Sequence, residues 1–164
     1  MKNEKFVFKV KRDYAPEPQD FSIMKMSCLD FFNSTINFIE HNFKGAIHVE
    51  YPETANGYVQ ISPYGFAYFI RLLLSEIYGD ALTVARIFAD EKELKVEIIA
   101  PKPLKREKQL ENVAARSGFS VSIENGKITL RTQMHISSEV FVYANDILRL
   151  INYYYEVFLM QDNE

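Results

Sequence analysis

The sequence predicts an α+β fold: a two-layer sandwich with helices on one face of a mostly antiparallel mixed sheet. Three observations predict it. Amphipathic helical stretches alternate with pairs of short strand-like runs, three times over, and a final helical stretch follows. The second and third pairs are joined by compact turn sequences, Asp90-Glu91-Lys92 and Asn125-Gly126. Antiparallel hairpins need only one covered face, so all the helices can lie on the same side.

The elements follow in order. Phe6, Phe8 and Val10 alternate with Val7, Lys9 and Lys11, the pattern of a short strand with one apolar face. Tyr14-Ala15-Pro16-Glu17-Pro18 then reads as a linker, because proline fixes φ and removes a donor. Residues 1–19 are thus an N-terminal strand and linker, 20–136 the sandwich, and 137–164 a C-terminal helix packing on it.

Asp20 is a candidate N-cap. Phe21, Met24, Cys28, Phe31, Phe32, Thr35, Ile39 and Phe43 recur at steps of three and four up to Gly45, which predicts a long amphipathic helix. Ala46 to Tyr51 and Gly57 to Ile61 read as a hairpin around a 52–56 loop. Ser62-Pro63 is an N-cap followed by a first-turn proline. Phe66, Phe69, Ile70, Leu73 and Ile77 mark the buried stripe of the second helix, which ends near Gly79.

Thr83 to Ala89 and Glu93 to Ala100 form the second hairpin, closed off by Pro101 and Pro103. Leu104 to Ser117 is the third helix, with Leu110, Val113 and Ala114 inside and Gly118 as its stop. Phe119, Val121 and Ile123 alternate toward Asn125-Gly126, and Ile128, Leu130 and Thr132 alternate back. Asn-Gly between alternating runs is a strong hairpin signal. Ser137 or Ser138 caps the last helix, in which Val140, Tyr143, Ala144, Ile147, Ile151, Tyr154 and Phe158 face inward.

Composition bounds the function. The chain has 164 residues, 48% apolar and 25% charged, with a net charge of −3, a globular rather than a disordered composition. No basic excess draws it to nucleic acid or to an acidic membrane. No run approaches the roughly 18 apolar residues of a membrane span. The start, Met1-Lys2-Asn3-Glu4-Lys5, lacks the apolar run of a signal peptide, and the single Cys28 has no internal disulfide partner. These features predict a cytoplasmic protein.

The order and lengths of the elements from Asp20 to Met134 resemble the GHKL-type ATP-binding domain of sensor histidine kinases. Phe66 to Tyr78 resembles the helix that carries the family's Asn box, and Lys95 to Ile99 the strand that leads into its Asp-x-Gly-x-Gly motif. Lys108 to Gly118, with Phe119-Ser120-Val121 and Lys127-Ile128-Thr129-Leu130, resembles the last helix and hairpin. The resemblance implies an ATP site with Mg²⁺ held by the helix Asn, adenine held by the Asp, and a glycine-rich lid over the phosphates. Here the helix positions are Glu76 or Asp80, and Ala100-Pro101-Lys102-Pro103 follows the strand. Proline cannot donate N–H groups to phosphate and cannot take the positive φ that glycine takes. The expectation is a family fold without the family's ATP-binding machinery, and not an enzyme.

Two readings of function follow. In the first, the chain is a non-catalytic binding or regulatory module in signalling. It has no cofactor and contacts another protein or itself through aromatic surface. Thirteen Phe and ten Tyr support this, as does Tyr153-Tyr154-Tyr155, whose side chains cannot all share one helix face. In the second, it is an atypical protein that binds ATP or ADP with Mg. Its site would comprise Glu76 and Asp80, four apart on one helix face, and Lys102 and Lys105 near the third helix, beside Arg106 and Lys108. The same carboxylates and cations also read as solvated helix ends. His41, His48 and His135 lack metal-ligand spacing, and Cys28 lies on an apolar stripe, which suits a buried structural thiol.

Overall fold

Ser62 starts the helix around which the rest is arranged. The computed structural model describes residues 21–42, 47–52, 57–77 and 83–136. The strand 6–10, the linker 14–18, Asp20, Gly45, the 53–56 loop, Gly79, Asp80 and the C-terminal helix lie outside the described residues. Ser62 Oγ accepts from Gly65 N at 3.0 Å and its carbonyl accepts from Phe66 N at 2.9 Å. With Pro63 at the first helical position, the predicted cap holds. The helix, Pro63–Ile77, buries all of its side chains except those of Tyr64 and Glu76. A helix apolar on nearly every side belongs in the middle of a structure.

The elements in chain order are β1 Met24–Ser27, α1 Cys28–Asp30, a π-helical segment Phe31–Ile36, α2 Asn37–Asn42, β2 Ile47–Glu50, β3 Tyr58–Ile61 and α3, the central helix. After them come β4 Thr83–Ala89, β5 Glu93–Ile99, α4 Glu107–Arg116, β6 Ser120–Glu124 and β7 Lys127–Gln133. Five strands form the main sheet in the order β2-β4-β5-β7-β6. Only β2 and β4 are parallel; the other neighbours are antiparallel. The inward residues Val49, Ala85, Ile87, Leu94, Val96, Ile98, Ile128 and Leu130 are buried in one core with the helices. On the opposite face Glu50, Arg86, Lys127 and Arg131 are exposed. The mixed, mostly antiparallel α+β sandwich is therefore the observed fold.

Three expectations are corrected. The first helix does not start at Asp20. Met24–Ser27 is a strand paired antiparallel with β3, Met24 opposite Ile61 and Ser27 opposite Tyr58. Met26 is fully buried while Lys25 is exposed, a period of two that the three-and-four spacing of Phe21, Met24 and Cys28 conceals. The helix starts instead at Ser27, whose Oγ accepts from Asp30 N at 3.0 Å. Its middle is π-helical: Asn37 N–H bonds to the Phe32 carbonyl, five residues back. Ser34 Oγ also donates to the Asp30 carbonyl at 2.7 Å, a local bond of the kind that bends helices.

Second, 46–51 and 57–61 are not a hairpin. β2 pairs in parallel with β4, and β3 belongs to a separate two-stranded sheet with β1. Alternation fixes which face of a strand is buried, not which strand lies beside it. Parallel pairing needs a crossover, which α3 supplies. The chain after β7 then joins the two sheets, because Tyr58 and His135 exchange backbone bonds of 2.8 and 2.9 Å. Gly57, at φ 112°, makes this approach possible; a Cβ there would sit 2.6 Å from the His135 carbonyl oxygen.

Third, α4 begins at Glu107 rather than Leu104. Arg106, at φ −113° and ψ 43°, is outside helical geometry, and it and Lys105 give their N–H groups to a side chain of α3, described below. The Asp90 turn and the Asn125-Gly126 hairpin stand as expected, with φ of 53° and 83° at the latter pair.

Phe66 anchors the core, with ring centroids 5.2 Å from Phe31 and 5.8 Å from Phe119. Phe66→Ala is expected to cost about 3 to 5 kcal/mol in urea unfolding. A loss below about 1 kcal/mol would show that α3 is not the centre of the packing.

Candidate functional site

Glu76 stands in the last turn of α3, at the border of the core. Its two oxygens accept backbone N–H groups from the segment that leads into α4: Lys105 N at 2.6 Å and Arg106 N at 3.0 Å. A bidentate carboxylate here supplies acceptors for donors that precede a helix N-terminus, where negative charge is favourable. Glu76 thus ties the end of α3 to the start of α4. The two helices meet again at the other end of each. Ser62 N donates to the Ser117 carbonyl at 2.9 Å, and Gly65 lets the backbones close, since a Cβ there would lie 2.1 Å from Ser117 Oγ.

Of the sequence-predicted residues, Glu76, Lys105 and Arg106 are brought together. Contact is made through the backbone of the two cations rather than their charged ends. Lys102, Lys105 and Lys108 have exposed side chains on this connection. Asp80 lies outside the described residues. Ala100 is buried, and its N–H donates to the Gly126 carbonyl at 2.8 Å.

Between the helices and the sheet lies a void of about 10 Å³, walled by apolar side chains that include Ile36, Ile39, Phe66, Ile70, Ile87 and Val96. That volume is close to one water molecule, and the walls offer water no partner. A wider, open concavity of about 470 Å³ lies on the other side, around Glu50, Tyr51, Arg86, Phe88 and Asp90. Its charged groups are engaged: Arg86 Nε donates to Glu50 Oε1 at 2.9 Å, and Asp90 Oδ1 accepts from Lys92 N and Glu93 N. Those backbone bonds, from Glu93 and then Lys92, hold the Asp90 carboxyl below its ordinary value.

In fold, the chain is similar to histidine kinase domains. The cytoplasmic segment of histidine kinase QseC is 16% identical, over 73% of this chain and 81% of that one, with a TM-score of 0.45. The catalytic domain of histidine kinase ThkA is 7% identical, over 72% and 99%, with a TM-score of 0.44. The histidine kinase domain of the E. coli osmosensor EnvZ is 9% identical, over 77% and 97%, with a TM-score of 0.41. No protein-family profile matches the chain, and no curated protein matches it in sequence.

Two polar residues stand out that the sequence reading passed over. Arg71 is fully buried in the middle of α3; burial lowers its pKa, and Tyr68, one turn earlier, opposes that. Its signal in the sequence is a cation between Ile70 and Leu72. Glu40 on α2 accepts Val49 N–H at 3.0 Å and lies 2.7 Å from His48 Nδ1. Glu50 faces the opposite ring nitrogen of His48 at 3.9 Å. Two carboxylates on opposite edges of one imidazole cannot converge on a metal ion. Among the described residues no group of three or more His, Cys, Asp or Glu does so, and no helix is long and apolar enough to cross a membrane.

Cys28 is fully buried, with Sγ 3.5 Å from the Met134 sulfur. Burial raises its pKa from 9.0 to about 11. The thiolate is thus disfavoured, and the thiol is placed for packing rather than reaction.

Two outcomes follow. Glu76→Ala is expected to cost about 1 to 2 kcal/mol, with Glu76→Gln, which keeps an acceptor, intermediate. Solvent screening at this border position keeps the value low. Urea unfolding equal to wild type for Glu76→Ala would show that the carboxylate joins nothing. For Cys28, the folded state holds the proton more tightly, so its stabilising effect is complete below pH 9.0 and is lost as pH rises toward about 11. Stability of the wild type should fall across that window by roughly 2 to 3 kcal/mol more than that of Cys28→Ala. Parallel pH curves for the two proteins would contradict the burial effect.

Proposed function

We propose that the chain is a non-catalytic binding or regulatory module of the cytoplasm, built on a histidine kinase-like scaffold and working through protein contact. The observation that carries this reading is the bidentate hold of Glu76 on Lys105 and Arg106 N–H. A carboxylate committed to two backbone donors supports the fold at the place where the second reading needs a ligand for Mg²⁺. The same bonds fill, with a negative group of the chain itself, the donors nearest the Lys102, Lys105 and Lys108 cluster.

Surface for a partner is available in the aromatic residues, of which Tyr51 and Phe88 are exposed on the described part and Tyr153-Tyr154-Tyr155 stands in the C-terminal sequence.

Thermal unfolding with and without millimolar Mg-ATP and Mg-ADP tests the reading. A nucleotide present at 100 times its dissociation constant adds about 2.7 kcal/mol, a shift of several degrees. The expected result is an unchanged melting temperature. A rise that Asp80→Ala or Glu76→Ala abolishes would overturn the proposal in favour of an atypical nucleotide-binding protein.

A further inference from the structure

The main sheet ends in two edges of different character. At β2 the outward N–H of Val49 is already taken by Glu40 Oε2 at 3.0 Å, an oxygen that also lies 2.7 Å from His48 Nδ1. At β6, the partner of β7, no further strand of the described residues lies outside, and the edge is open among them. Asn125 and Gly126 form a two-residue turn of positive φ, so Glu124 and Lys127, which it joins, exchange backbone bonds. Bonded and non-bonded pairs alternate from there, which turns the backbone of Ser122 and Ser120 toward β7 and that of Val121 and Ile123 outward. The Phe119 N–H, next in the outward series, donates to the Ala114 carbonyl, in agreement with this phase. Val121 and Ile123 therefore present a row of strand donors and acceptors. Their side chains are half-buried against the core, and Ser120, Ser122 and Glu124 are exposed.

We propose that β6 is an interaction edge that takes a second copy of this chain, its β6 running antiparallel about a two-fold axis at Ser122. The sequence Ser120-Val121-Ser122-Ile123-Glu124 is complementary to itself in this register. Val121 faces Ile123 of the partner subunit, so apolar side chains meet at the core side. Ser120 faces Glu124 of the partner subunit, so no like charges oppose. The outward groups of Val121 and Ile123 then bond across the axis, and the main sheet continues from one subunit into the other. An edge of this length buries less than the roughly 1,200 Å² of a standard interface, which makes the dimer weak and dependent on concentration. The inference rests on the reading that the chain works through protein contact and adds the partner and the strand; the nucleotide titration tests that reading separately.

The full chain is tested by sedimentation over a concentration series and by oxidation of cysteine variants. The average mass is expected to rise toward twice that of the monomer, and Ser122→Lys, which sets like charges face to face on an exposed position, to weaken association about fivefold. In this register Ser122 meets its own copy as a non-bonded pair with Cα atoms about 4.5 Å apart, within disulfide reach. Ser120 and its copy are roughly 13 Å apart. Ser122→Cys is therefore expected to cross-link at least tenfold faster than Ser120→Cys, with the buried Cys28 as a silent background. A mass that stays monomeric at the highest concentration, a dimer indifferent to Ser122→Lys, or equal cross-linking at 120 and 122 would each overturn the proposal.

Discussion

At the end of α3, Glu76 takes two backbone N–H groups from the segment that enters α4. Pro101 and Pro103 stiffen the path from β5, so this segment has few conformations and needs an acceptor for the donors it leaves over. Glu76 supplies that acceptor. The direction of α4 follows, and with it the packing of Leu110, Val113 and Ala114 into the core and the placing of the β6–β7 hairpin. Where a glycine-rich loop leaves its N–H groups open to a bound anion, this connection closes on a side chain of its own chain.

The sheet has a comparable division of labour. Its inward face is largely apolar, although Thr83 is also buried there. Its outward face is laced by Arg86 with Glu50, Glu97 with Lys95 and Lys127, and Arg131 with Glu93. Exposed pairs of this kind stabilise little, about 0 to 1 kcal/mol each. Their effect is to keep the uncovered face of a two-layer fold wet, so that Phe88, with Lys95 Nζ 4.9 Å from its ring centre, and Ile99 stand among charges rather than in one apolar patch.

Much of this was legible in the residues. Ser62-Pro63, Asp90 and Asn125-Gly126 each name a local geometry that needs nothing from the rest of the chain, and each is found. The alternation of β6 and β7 assigned their buried faces. Pairing was not legible where the partner is remote: β2 lies beside β4 and β1 beside β3 because of packing against α3, and a period of two says nothing of neighbours. Met24 to Cys28 fits either period over so short a span. The two roles that matter most at the candidate site, those of Glu76 and Glu40, are bonds from a side chain to distant backbone, and no spacing rule announces them.

Glu40 has one more effect. Sheets that can pair at both ends can add molecules without limit, which is how ribbons and fibres grow. By seating its carboxylate on the Val49 amide, Glu40 takes one of the outward donors through which β2 could extend the sheet. The pairing proposed at β6 would then stop at two molecules rather than seed a polymer.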